Sequence, residues 1–112
     1  MSRRTACIGL ATPVLLAALA AHAGGPDAAR QAELLHLVRQ DCGSCHGMTL
    51  RGGLGPPLTA AALSERSEDA VVATIVHGRR GTAMPPWAPF LTEPEARWIA
   101  VRLKQGLEQD AR

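Results

Sequence analysis

Cys42-Gly43-Ser44-Cys45-His46 is the stretch of this chain most able to do chemistry. A Cys-x-x-Cys-His run reads as a covalent attachment site for haem c. On a helix, residues three and four apart are neighbours, so positions 42, 45 and 46 share a face. Two thiols on that face can each add to a haem vinyl group. His46 then projects from the same face under the iron as proximal ligand. Gly43 and Ser44 are small enough to let a porphyrin edge come close. A cysteine pair can also form half of a zinc site or a redox dithiol. Zinc usually takes a second ligand pair, and Cys7, the only other cysteine, falls in a segment read below as removed. A redox dithiol would sit beside a βαβ pattern, and no strand pattern occurs here.

A haem iron held by His46 has a second face, and three side chains compete for it. Met48 is two residues from His46 and so tied to the proximal side. His77 ends an apolar helix, where a capping or packed role is the plainer one. Met84 lies in a proline-bounded loop, far enough along the chain to reach the distal face. Pro85-Pro86 holds its backbone extended and Gly81 allows the turn into it. Met84 is therefore the expected axial ligand, and a thioether raises the potential relative to a second histidine. A methionine is otherwise commonly core filler.

The elements that must position these groups follow from the helical pattern. Asp27 can cap a first helix over residues 28–46, with Leu34, Leu35, Leu37 and Val38 on its apolar face. His36, among these leucines, reads as a surface histidine. Residues 47–58 form a loop carrying Gly52, Gly53, Gly55 and Pro56-Pro57. A short helical turn is expected over residues 59–63. Ser67 caps the next helix, with Glu68 and Asp69 in the first turn where the dipole favours anions, and Gly78 ends it. Val71, Val72, Ile75 and Val76 are its core side. The loop over residues 79–90 contains three prolines and cannot be helical. Thr92-Glu93-Pro94-Glu95 is a capping box for a last helix reaching about residue 107, with Ala96, Ile99, Ala100, Leu103 and Leu107 inward. The fold class is all-α, with three to five helices around one haem.

The N-terminus reads as a signal peptide over residues 1–23. Arg3-Arg4 is a basic n-region, residues 6–21 are apolar, and Ala21-His22-Ala23 is a cleavage signal. The apolar run is short for a membrane span of about 20 residues, so no stable membrane anchor is expected. Residues 24–112 then form one small domain with a single Phe, two Trp and no Tyr. A buried haem would supply the large apolar body that this composition lacks. The formal charge of +2 resides in Arg3 and Arg4, and the remaining chain has ten basic and ten acidic residues. Such a balance gives no support to nucleic-acid binding.

The Cys42-x-x-Cys45-His46 run, Gly55-Pro56-Pro57-Leu58, Met84-Pro85 and the capped last helix together resemble the class I monohaem cytochromes c. More narrowly, residues 42–59 and 81–87 are similar to the periplasmic cytochrome c-55X proteins, which are associated with haem-d1 nitrite reductase in denitrifying bacteria. The resemblance implies that the Pro56 carbonyl accepts from the His46 ring N–H and so fixes the ligand. It implies a monomeric periplasmic electron carrier, not an enzyme, whose partners are redox proteins, with nitrite reductase as the expected acceptor. A role in maturing the d1 haem of that reductase is the alternative. A peroxide-reducing haem enzyme is a further one, with His77 as its distal acid–base group. Where relatives carry a Gly and an aromatic on the first helix, this chain has Leu34 and Val38. On the last helix, Trp98 is expected to replace an inward aromatic from a shifted face. Arg79 and Arg80 read either as a solvated loop or as contacts to haem propionates.

Overall fold

The structure is a computed structural model and describes residues 24–110. The signal-peptide reading and Cys7 lie outside those residues. Among the described residues the fold is helical and contains no strand. No helix there is long and apolar enough to cross a membrane.

Helix α1 (Ala28–Leu37) begins as the sequence implies, with the Asp27 carboxylate accepting from Arg30 N–H. The helical course then runs on to His46, but not as one α-helix. Val38–Cys42 forms a π-turn, and α2 (Gly43–His46) resumes the α geometry. One extra residue is therefore accommodated immediately before the attachment motif. Leu34 and Val38 are fully buried, and Leu35, Leu37 and Cys42 pack against the same core. His36 is exposed.

The loop after α2 is wound tightly over His46 by main-chain bonds. Gly52 N–H donates to the His46 carbonyl at 2.7 Å and Gly55 N–H to the Cys45 carbonyl at 2.7 Å. Leu50 sits inside this loop, fully buried, at φ 61°. A left-handed backbone is unfavourable for a side chain of that kind, so its burial must offset the strain. Helix α3 (Ala60–Leu63) is capped by Thr59. Lys104 donates to the Leu63 and Arg66 carbonyls and so ties the end of α3 to the last helix.

Helix α4 (Glu68–His77) is capped by Ser67 and buries Val71 and Val72, with Ile75 and Val76 partly covered. Helix α5 (Glu93–Lys104) has the full capping box: Thr92 accepts from Glu95 N–H, and the Glu95 carboxylate accepts from Thr92 N–H. Leu91 and Ala96, the positions of a hydrophobic staple around that cap, are both in the core. The last helix is one turn shorter than expected. Gly106 at φ 97° takes the left-handed conformation that terminates helices, and Leu107–Gln109 forms a 3-10 turn that still buries Leu107.

Helix α5 lies along α4 and α3. Its first half is pinned by charge. Arg97 reaches Glu68 and Asp69 at the start of α4, at 2.9 and 2.8 Å. Arg30 on α1 donates to Glu95 at 2.7 Å. Trp98 is half-buried against the core and carries the Arg102 guanidinium 6.0 Å from its ring centroid, so the aromatic expected on this helix is present on a shifted face.

Candidate haem site

Cys42, Cys45, His46, Pro56 and Met84 all line one cavity of about 470 Å³. That volume falls within the range of about 300–1,000 Å³ typical of cofactor and ligand pockets. Its walls are mostly apolar and are shared with the core through Leu63, Val71, Ile99 and Leu103.

The proximal side is built by the helical course and the loop that follows. His46 Nδ1 lies 2.7 Å from the Pro56 carbonyl oxygen. A carbonyl only accepts, so Nδ1 carries a proton and Nε2 is the nitrogen left to ligate. That contact fixes both the tautomer and the ring plane, as metal-ligating histidines require. Gly55 makes the approach possible: a Cβ there would lie 2.8 Å from both Cε1 and Nδ1 of the His46 ring.

Cys42 is partly buried and Cys45 is exposed. Burial, with the neighbouring Asp41 carboxylate adding to it, pushes the Cys42 thiol up to about 11. A redox dithiol works through a lowered thiol pKa, so the shift runs against that reading. No group of three or more His, Cys, Asp or Glu side chains suited to a metal ion occurs among the described residues, which removes the partners a zinc site needs.

The Met84 loop is fastened to the end of α4. Trp87 N–H donates to the Ile75 carbonyl at 3.0 Å, Ala88 N–H to Val76 at 3.3 Å, and Arg79 N–H to Met84 at 3.2 Å. Gly78 sits under the loop at φ 65°, where a Cβ would lie 2.7 Å from the Met84 carbonyl oxygen. Of the three candidates for a second iron ligand, Met84 lines the cavity. His77 is exposed on a separate surface groove, and Met48 is an exposed residue packed near Gly43.

Two sequence expectations change. Gly43 does not open the cavity edge: it is buried and faces Met48 and the Val38 carbonyl. Its smallness serves the packing of Met48 behind the motif. Arg79 lines the cavity and Arg80 does not, while Arg66, which the sequence did not single out, lines it too.

The donor set and the cavity thus fit a haem: an imidazole held through Nδ1 by a carbonyl, a thioether, and two thiols at one apolar cavity. Residues 29–101 match the family model described as cytochrome c oxidase, cbb3-type, subunit III. Over 91 residues the chain is 60% identical to cytochrome c55X of Paracoccus denitrificans, spanning 81% of this chain and 88% of that protein. The chain belongs to the cytochrome c55X family. As a member of the c-type cytochromes it is an electron-transport protein with covalently bound haem c. A solved c-type cytochrome, NirC, superposes with a TM-score of 0.70 at 54% identity, over 71% of this chain and 94% of that one. This chain is also 37% identical, over 99 residues, to dihydro-haem d1 dehydrogenase of Pseudomonas aeruginosa, a match that covers 88% of this chain and 19% of that larger protein.

Proposed function

We propose that the protein is a periplasmic one-electron carrier with a single haem c, acting in denitrification as a donor to haem-d1 nitrite reductase. In this reading residues 1–23 are a cleaved signal peptide and residues 24–112 are the mature monohaem domain. Cys42 and Cys45 hold the haem through thioethers, and His46 and Met84 are its axial ligands. The observation that carries the reading is the shared cavity, in which His46, held by the Pro56 carbonyl, and Met84 lie with both cysteines. The haem supplies a one-electron couple at its iron. The chain's own residues set the conditions for it. Pro56 raises the basicity of the His46 ring by accepting a hydrogen bond from its Nδ1–H. Met84 offers a soft sulfur that favours the reduced metal. The apolar walls exclude water.

Electrons would leave near Ser44, Ala83, Pro85 and Pro86, which are exposed and small or apolar. A redox partner can approach such a surface with little polar desolvation, and redox encounters of this kind bury little area. Stopped-flow mixing of reduced protein with oxidised haem-d1 nitrite reductase tests the assignment. Fast bimolecular transfer is expected. Transfer far slower than the reductase turns over would overturn the donor role.

A second reading, an accessory role in maturing the d1 haem, is supported by the similarity to a segment of dihydro-haem d1 dehydrogenase. A gene deletion separates the two. A carrier's loss lowers nitrite reduction at normal d1-haem content, whereas a maturation factor's loss lowers the d1-haem content itself. The peroxide-reducing reading requires His77 beside the iron, and His77 lies on another face.

A further inference from the structure

We propose that Arg66 and Arg79 bind the two propionate carboxylates of the haem, and that Arg80 does not. The inference rests on the reading of the cavity as the haem site. It starts from how the arginines are partnered. Arg30 is paired with Glu33 and Glu95, Arg97 with Glu68, Asp69 and Glu93, and Arg102 with Asp110. Arg39, Arg51, Arg66, Arg79 and Arg80 have no carboxylate within ion-pair distance among the described residues, and of these only Arg66 and Arg79 line the cavity. Two guanidinium groups without anionic partners, along a mostly apolar wall, match a ligand that brings two carboxylates of its own. The planar fork of arginine suits a carboxylate better than a lysine would.

The cavity lining carries charge of both signs. Asp41, beside Cys42, is the one carboxylate among its described lining residues. It repels anionic groups from its own vicinity beside Cys42, and Arg66 and Arg79 are the arginines that line the same cavity. Both arginines are carried on fixed backbone. Arg66 N–H donates to Leu63 at 3.1 Å, and its carbonyl accepts from Lys104. Arg79 N–H donates to Met84, and its carbonyl accepts from the N–H and hydroxyl of Thr82 at 3.1 and 2.7 Å. Each side chain thus needs only to order its own torsions to reach a carboxylate. Arg80, the next residue, lies outside the cavity.

The test compares haem-loaded wild type with Arg66→Gln, Arg79→Gln, Arg80→Gln, Arg66→Lys and Arg79→Lys. Two quantities are read: the reduction potential, and the propionate carboxylate stretch in redox-difference infrared spectra. Removing a cation near the iron disfavours the added electron, so the Gln variants at 66 and 79 are expected to show a lower potential and a shifted stretch. The Lys variants keep the charge but lose the fork. They should hold a near-wild-type potential with a shifted stretch, and they supply the readout if a Gln variant assembles poorly. Arg80→Gln should change neither quantity. If the variants at 66 and 79 match Arg80→Gln in both readouts, the proposal fails. A shift at one position alone overturns the two-arginine clamp. Covalent haem retained in all variants shows that the haem site itself stands whatever the outcome.

Discussion

Gly78→Ala is the most informative single change outside the cavity. Gly78 holds φ 65° and ψ −166°, a region open essentially to glycine alone. Forcing alanine into it costs about 1–3 kcal/mol. The added Cβ would also lie 2.6 Å from the Pro85 carbonyl carbon and 2.7 Å from the Pro86 nitrogen. Both are backbone atoms that cannot rotate away, and overpacking of this kind adds about 1–3 kcal/mol. The summed penalty is about 2–6 kcal/mol, against a total stability of about 5–15 kcal/mol for a domain. The molecule has a second way to relieve it. Lifting the Met84 loop from α4 breaks the Trp87–Ile75, Ala88–Val76 and Arg79–Met84 main-chain bonds, about 1.5–4.5 kcal/mol at 0.5–1.5 each. The two costs are comparable, so the loop should detach in a substantial fraction of molecules before the rest unfolds. Urea unfolding should therefore show a loss of about 2–4 kcal/mol by far-ultraviolet dichroism, a range limited by the loop's own release. The near-infrared sulfur-to-iron band of the oxidised protein should weaken at lower urea than the helical signal. A variant within about 1 kcal/mol of wild type, with the band at full intensity, would refute both the clash and the coupling of Gly78 to Met84.

Met84→Ala should abolish that sulfur-to-iron band and lower the potential, and an unchanged band would assign the ligand to another residue. Cys42→Ala and Cys45→Ala should each weaken retention of pigment through denaturation and organic extraction, measured as colour left on the protein. Deleting Gln40 should convert the π-turn to α-helix and leave the attachment motif facing as before relative to Leu34 and Val38, because the wide turn already absorbs the roughly 100° that one residue adds. Haem loading, measured as pigment per protein, should persist along with the helical dichroism, and its loss would show that the wide turn does more than absorb one residue. Acid should expose the Glu95 contacts. The Arg30 guanidinium and the Thr92 N–H hold its carboxyl below the ordinary glutamate value. A depressed folded-state value means stability present above about pH 4.3 and lost as pH falls through the folded value. Thermal midpoints should drop over that acid window in wild type and drop less in Glu95→Gln.

The parts of this fold that were legible in the sequence are those with local chemistry. Asp27, Ser67 and the Thr92/Glu95 box announce helix starts through side-chain oxygens that satisfy free N–H groups, and each does so in the structure. The inward positions of α5, from Ala96 to Leu103, follow from helical spacing alone. The same spacing could not show the π-turn at Val38–Cys42, because no side chain there marks an added residue. Leu50 looked like any residue of a glycine-rich loop, and its burial depends on how residues 46–58 close on themselves. Gly106 did carry a usable signal, as a glycine just past the last periodic residues, and it should have shortened α5. Arg66 was invisible because only tertiary folding, with Lys104 of α5 holding the end of α3, brings it to the cavity wall.

Leu63, Val71, Ile99 and Leu103 belong at once to the core and to the cavity wall. Folding and cofactor binding therefore draw on the same surfaces. For a dissociable cofactor, the resulting stabilisation rises and falls with free ligand concentration by mass action. A cofactor joined to the chain by covalent bonds has no free concentration. Its effective concentration at the cavity is set by the tether alone, as for any linked pair. Diluting this protein, or moving it into a compartment without haem, leaves that contribution intact. A small domain with few aromatics can thus rely on a borrowed core without depending on the supply of what it borrowed.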